Sequence, residues 1–407
     1  MTEAASSRWR LPVVLLGLLT IGSFGVVLYG FAAFVSPIER ETGWSNAAVS
    51  AAFTISTIVG SVLSLGTGRL LDRVGARPVM ASTLILGSIG LWSSSYATDA
   101  WQFVLAWGVG GAIVSAGLLY QTTMAVTTRI APVLERPSAF TWLTVIGGLS
   151  SPIAFPLAGA MIEWWGWRGA VRGMVAVMIA LATPAIVLVR GDGRTVLESP
   201  DHPDTTGFDR VRTALSSRLV RRWLVAASLA MAGLGAVQVH HVGAIEAAGV
   251  SIGTASLLAG IRGLLSLPGR AGAASLTNRI GAANALRVVY VAMSVGTVAL
   301  VLAGSIAWVW LFVVVTGLAF GSVAPLQGLY AAELYGHRRI GALLGMQQLV
   351  TGTATAVGPL VLGLTVDATG GYGVLLVTAT VLQLIAAWMF REPRIDRLPD
   401  PTPATTP

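Results

Sequence analysis

The chain contains no cysteine. Disulfides, thiolate metal ligands and cysteine nucleophiles are therefore excluded. It contains no lysine either, so all 26 basic residues are arginine. Charge of either sign is scarce. Of the 407 residues, 11% are charged and 54% hydrophobic, whereas a water-facing surface needs roughly a quarter of its residues charged. A soluble domain is excluded. The sequence holds no Walker-type phosphate loop, metal-ligand cluster or catalytic triad, so ATP drive, hydrolysis, a metal and a cofactor all lack support.

What the chain does have is uncharged stretches of membrane length. They run over 11–38, 42–68, 78–98, 100–128, 137–162, 173–189, 223–245, 288–332, 340–366 and 368–390; about 20 apolar residues cross a bilayer. The run 288–332 suffices for two crossings, and one further span at 251–276 carries Arg262 and Arg270 inside it. The expected fold is all-α and integral to the membrane: twelve transmembrane helices in two pseudo-symmetric six-helix bundles, residues 1–189 and 222–391. The polar stretch 190–221 between them is the expected linker, and the Pro/Thr-rich tail 392–407 is expected to be disordered. Other connections are short, which favours antiparallel neighbours.

A net charge of +8 would suit nucleic acid, but its distribution does not. With the N-terminus placed in the cytoplasm, Arg40, Arg168 and Arg172 fall outside and Arg262 and Arg270 within the membrane; every other arginine falls on the cytoplasmic side. That is the positive-inside bias, a topological signal. It predicts a multi-pass protein of the plasma (inner) membrane with both termini cytoplasmic, and no nucleic-acid partner. The first apolar run lacks a small-residue cleavage site and is too long for a signal-peptide core, so it reads as the first span.

A short charged turn occurs twice. Gly68-Arg69-Leu70-Leu71-Asp72-Arg73-Val74-Gly75-Ala76-Arg77 separates two apolar runs, and Leu276-Thr277-Asn278-Arg279-Ile280-Gly281 is a worn copy. Gly66 aligns with Gly272, Asp72-Arg73 with Asn278-Arg279, Trp101 with Trp308 and Pro152 with Pro359, at spacings of 206 or 207 residues. Parallel six-helix repeats with a midplane site between them are a known transporter plan. The first turn resembles the signature loop between the second and third helices of the major facilitator superfamily. Gly68 and Gly75 permit a tight reversal; Arg69, Arg73 and Arg77 stay on the cytoplasmic face; Asp72 can pair with them or cap a helix N-terminus. The resemblance covers essentially the whole chain and implies that this turn gates the cytoplasmic side. Leu71 and Ala76 depart from it, standing where most members have a second small and a second basic residue.

Ionisable groups within a span are expensive and are functional hypotheses by default. Arg270 lies eight residues before Asn278, about 12 Å along a helix and close to mid-membrane. Its planar fork suits a carboxylate; a buried ion pair with Glu333 is the structural alternative. Around it the sequence resembles the monocarboxylate porter and oxalate–formate antiporter branch, whose members carry an arginine at this spacing within a pair such as Gly269-Arg270. His240, Glu246 and Gly249-Val250-Ser251 fit that branch, as does Tyr29…Glu39…Gly43-Trp44-Ser45. The resemblance implies that Tyr120 and Tyr330 line the carboxylate site. Tyr120 stands nine residues before Arg129 and Tyr330 eight before Arg338, so both share a level with Arg270.

Two departures bear on substrate and coupling. Ser266 replaces an aspartate that some relatives have one turn before the arginine, which leaves the proton path unassigned. The eleventh span offers Gln347 and Gln348 instead of lysine, so Arg262 is the remaining second cation, which favours a monoanion. His240 and His241 are the titratable residues near neutral pH within a span; His240 is a candidate for substrate contact or proton relay, or is simply hydrogen-bonded between helices. Glu163-Trp164-Trp165-Gly166-Trp167-Arg168 reads as an external aromatic belt with charged ends.

The function expected is alternating-access transport of a small organic monocarboxylate, with protons as coupling ion, by a monomer in the bilayer. Arg270, Tyr120, Tyr330, His240 and Arg262 would form the site. The alternative is efflux of drugs by proton antiport, but the first span lacks the deep carboxylate such pumps use. A transport-dead sensor would need a signalling domain, for which the 32-residue linker leaves no room.

Overall fold

A computed structural model describes residues 9–189, 215–335 and 341–390 of the chain. Helix α1 (Arg10–Thr42) contains a π-helical stretch at Gly25–Gly30. It is followed by α2 (Asn46–Val74), α3 (Ala76–Ser94) and α4 (Ala100–Ile130), the last broken at Leu119. Next come α5 (136–165) and α6 (167–188), separated at Gly166. The second half comprises α7 (Arg218–Ala247), α8 (Ile252–Ile280), α9 (Ala282–Val301), α10 (Ile306–Tyr335), α11 (Gly341–Thr369) and α12 (Gly373–Met389). Nine segments of the described residues pass for membrane spans by length and apolarity; Ser138–Leu188 holds both α5 and α6, and α3 and the 17-residue α12 complete the twelve. Most of the expected linker and the whole expected tail lie outside the described residues. Helix α7 begins at Arg218, inside the stretch read as linker, because its first turns carry the basic residues that mark a membrane boundary.

The twofold repeat is visible in backbone detail. Helices α2 and α8 each have 29 residues. Each is entered through a left-handed glycine, Gly43 (φ 72°) or Gly249 (φ 96°), and capped by a serine hydroxyl: Ser45 accepts from Ala48 N and Ser251 from Thr254 N. Each ends in a second positive-φ glycine, Gly75 (φ 88°) or Gly281 (φ 79°). These are the sharp reversals of the two charged turns, at the spacing read from the sequence.

With no hydrophobic drive between apolar helices in lipid, packing relies on close backbone approach at small residues. Helices α8 and α10 cross on glycine: a Cβ added at Gly321 would lie 1.8 Å from the carbonyl oxygen of Ser266, and one at Gly269 2.0 Å from that of Leu318. Because both obstacles are backbone, Gly321→Val should force the helices apart. The expected cost is about 2 kcal/mol or more, read as a lower melting temperature of the purified protein; an unchanged melt would show that the crossing tolerates separation.

Among the described residues, the two halves meet toward one end of the bundle. One face of the bundle carries the arginine-rich turns. An apolar core runs the length of the first half, from Leu71 and Ala76 in its charged turn to Phe34 and Trp167, and toward the arginine-poor face it continues into the second half at Val239, Leu258, Phe312 and Leu362. A second core, around Trp223, Tyr290, Leu326 and Phe390, lies wholly in the second half near the arginine-rich face. Positions Gly66, Gly68 and Gly272 on that side have nothing within 4 Å of where a Cβ would point.

Candidate functional site

The contacts that seal the arginine-poor end are reciprocal. Asp367, near the end of α11, accepts hydrogen bonds from the backbone N–H of Asn46 (2.6 Å) and Ala47 (2.9 Å) at the start of α2. Glu163, near the end of α5, accepts from Gly253 N (3.0 Å) at the start of α8. Ala47 and Gly253 are equivalent in the repeat, and Glu163 and Asp367 each stand three residues before a positive-φ glycine, Gly166 (φ 65°) and Gly370 (φ 69°). Each half thus supplies a carboxylate that caps a helix N-terminus of the other, satisfying orphan N–H groups and facing the positive end of the helix dipole. Glu246 adds an ion pair with Arg40 and accepts from Ser36 Oγ (2.8 Å). Glu163 is therefore more than the charged end of an aromatic belt, while Trp164 and Trp165 beside it are exposed.

Beneath this seal lies His240. Its Nε2 is 3.1 Å from the carbonyl oxygen of Pro359 on α11 and 3.3 Å from Ser50 Oγ on α2. A carbonyl only accepts, so Nε2 carries hydrogen. Ser50 belongs to the first half and Pro359 to the second, which places His240 in the hydrogen bonding between helices that closes the halves. One turn deeper, Thr54 Oγ1 donates to the carbonyl oxygen of Ala356 (2.7 Å).

Arg262 is the most deeply buried cation among the described residues, 2% exposed. Its Nε donates to Thr316 Oγ1 (2.8 Å) and its Nη1 to Gln238 Oε1 (3.0 Å). The guanidinium lies 5.5 Å from the ring centroid of Phe312 and 5.2 Å from that of Phe320. Its Nη2 is buried and makes no hydrogen bond. The described ion pairs are Arg40–Glu246, Arg129–Asp72 and Arg168–Glu41, none of which involves Arg262 or Arg270. Two aromatic faces and two neutral acceptors soften the burial, but an ionised group taken from water without a counter-ion still costs several kcal/mol.

Arg270, eight residues on, is exposed and unpaired, and so is not bridged to Glu333. It acts electrostatically on Tyr29 and Tyr120, while Arg262 acts on Tyr29. These tyrosines belong to the first half, so the charges of both arginines act across to that half. Each tyrosine is delivered by a helix irregularity. Tyr29 sits in the π-helical stretch of α1, a feature frequent at functional sites. Tyr120 opens the second piece of α4 just after the extended Leu119 (ψ −174°). Phe24 touches both rings, with centroids 6.4 and 5.1 Å away.

Tyr330 is not part of this group. It is buried among Trp223 (4.7 Å between centroids) and Phe390 (5.5 Å) in the second-half core. Residue spacing sets depth along a helix but not direction around it, and Tyr330 points away from the other half. Arg338, the ruler for its depth, lies outside the described residues.

In the first charged turn, Asp72 pairs with Arg129 of α4 (2.5 Å), which also donates to the carbonyl oxygen of Leu71 (2.9 Å). Arg69, Arg73 and Arg77 are exposed. In this structure the turn is closed within its own half, and an exposed pair of this kind is worth roughly 0–1 kcal/mol.

Sequence reasoning passed over Tyr29 and His241 as site components, and Gln238 and Asp367 altogether. The spacing of 204 residues that relates Gly166 to Gly370 also relates Glu163 to Asp367, and was the signal available for the last.

Comparison with known proteins agrees with this architecture. The profile of the family described as Major Facilitator Superfamily matches residues 13–359 and 245–406. Monocarboxylate transporter 13 of Rattus norvegicus is 24% identical over 390 residues, covering 93% of this chain and 87% of the relative. A putative multidrug resistance protein MdtD of Salmonella paratyphi B is 26% identical over 190 residues, 45% of this chain and 38% of the relative. Among solved structures, the nucleoside transporter NupG superposes with a TM-score of 0.77 at 15% identity, over 94% of this chain and 99% of that one.

Proposed function

Since the chain belongs to the major facilitator superfamily, we propose that it is a secondary active transporter of a small organic monocarboxylate, coupled to protons and working by alternating access. In this reading the arginine-rich face is cytoplasmic in the plasma membrane, and the structure is the state open to that side. The observation that carries the substrate class is the pair Arg262 and Arg270. Among the described residues both are cations without a carboxylate partner, both act electrostatically on tyrosines of the first half, and one is buried where an unpaired charge is costly. An organic anion supplies the missing counter-charge. Tyr29 and Tyr120 are the first-half members of the proposed site. Drug efflux is the weaker reading: a deep carboxylate for a cationic drug is missing from the described part of α1 above Glu39, and the multidrug-type match spans less than half of the chain.

The test is uptake of labelled lactate and pyruvate into vesicles. Arg270→Ala removes an exposed, charge-assisted contact, and a loss of roughly 1.4 kcal/mol corresponds to a tenfold higher half-saturation concentration. Unchanged, saturable uptake would remove Arg270 from the site. Drug resistance on expression, with no carboxylate uptake, would reverse the ranking.

A further inference from the structure

His241 follows His240 in α7 but faces a different neighbourhood. It is fully buried, with Phe155 of α5 at 5.3 Å and Phe312 of α10 at 6.2 Å between ring centroids. Its Nδ1 lies 2.9 Å from the carbonyl oxygen of Gln238 and 3.1 Å from that of Val237. Carbonyls only accept, so Nδ1 carries the hydrogen and Nε2 of the neutral ring presents a lone pair. That Nε2 is buried and unpartnered, as is Nη2 of Arg262.

The two groups share their surroundings. Gln238, whose backbone holds His241, is the residue whose side chain holds Arg262 Nη1. Phe312 lies against both the imidazole and the guanidinium. The charged and titratable groups that act on His241 are Arg262 and His240. Of the others on neighbouring helices, Tyr29 faces Arg262, while Asp367, Glu246 and Arg40 are engaged at the arginine-poor seal.

The geometry points to His241 Nε2 as the site that takes the coupling proton, jointly with the substrate carboxylate held by Arg262 Nη2. This deepens the monocarboxylate reading and rests on it. Proton addition at Nε2 turns the lone pair into an N–H donor, and Nδ1–H stays on its carbonyls. The resulting imidazolium beside a guanidinium in a dry site is strongly disfavoured alone. A carboxylate accepting from both cations removes that repulsion, so proton and anion each raise the other's affinity by the same factor. A neutral ring contributes only a second lone pair facing the anion, which opposes binding. Proton and monocarboxylate therefore enter or leave the buried site together.

The test is calorimetry on the intact purified protein. Acetate, pyruvate, lactate and benzoate are titrated at pH 7 in buffers of different ionisation enthalpy, which counts protons taken up with the anion. The expected result is uptake approaching one proton per bound monocarboxylate in the native protein. In His241→Gln the expected result is near-zero proton uptake with weakened, still measurable binding, and loss of accumulation driven by a pH gradient in vesicles. Binding without proton uptake in the native protein would overturn the inference and leave the monocarboxylate reading standing, as would unchanged proton uptake in a His241→Gln protein that melts like the native one. If none of the four anions binds, the monocarboxylate reading itself falls.

Discussion

Removing Asp367 and Glu163 together, as a double alanine variant, is expected to open the arginine-poor mouth and shift the resting state of the protein. Each carboxylate caps a helix that belongs to the other half, and such a contact is worth on the order of 1–2 kcal/mol. The pair then contributes roughly 2–4 kcal/mol, and its loss changes the ratio of closed to open states by about 30- to 1,000-fold. The absence of cysteine makes this measurable without background. A single cysteine placed at Ser50, which is buried beneath the seal, should react slowly with a membrane-impermeant maleimide, and much faster in the double variant. Single variants should fall between. Asp99 caps α4 within its own half; Asp99→Ala should weaken the fold without accelerating labelling at Ser50. Equal labelling in the double variant and the parent would show that the apolar core, not the carboxylates, holds that end closed.

Arg262→Gln is expected to abolish monocarboxylate uptake while the protein remains folded. Glutamine keeps a polar side chain among Thr316 and Gln238 but removes the charge and the fork. A charge-assisted hydrogen bond contributes about 1.5–3 kcal/mol, and a desolvated, two-pronged contact forfeits both, so uptake should fall by two orders of magnitude or more. Arg262→Lys retains charge without the planar fork and should recover part of the activity. Melting behaviour separates the explanations, because an unpaired buried guanidinium is itself a cost to the fold and its removal should leave the melting temperature unchanged or higher. Native uptake kinetics in a folded Arg262→Gln protein would return the anchor to Arg270 alone.

The sequence-level reading of fold rested on chemistry that is local by nature. Membrane length, the arginine bias and the glycine-bounded turns each act over a few residues, so they were legible as written, and the repeat carried them to the second half. Site residues were legible only as far as depth. Counting from the charged turns placed Tyr120, Tyr330 and Arg270 at one level, and in the structure Tyr120 feels the charge of Arg270 while Tyr330 turns into the Trp223–Phe390 cluster. Arg262 and Arg270 reversed the expected emphasis: the residue nearer the arginine-poor end is the buried one, because the halves close there. Two adjacent histidines looked alike in sequence. Successive residues on a helix point about 100° apart, which sends His240 into the contact between halves and His241 toward Arg262.

From the sequence alone came the solvent of this protein, its twofold plan and the scarcity of charge that makes each intramembrane arginine a candidate. Hydrophobicity and turn chemistry are properties of short segments, and the bilayer converts them directly into topology. Tertiary structure alone decided which end is closed, which carboxylates reach across to seal it, and which nitrogens are left buried without a partner. Those depend on the rotation of each helix about its axis and on how two bundles lean together, set by backbone contacts at glycines far apart in the chain.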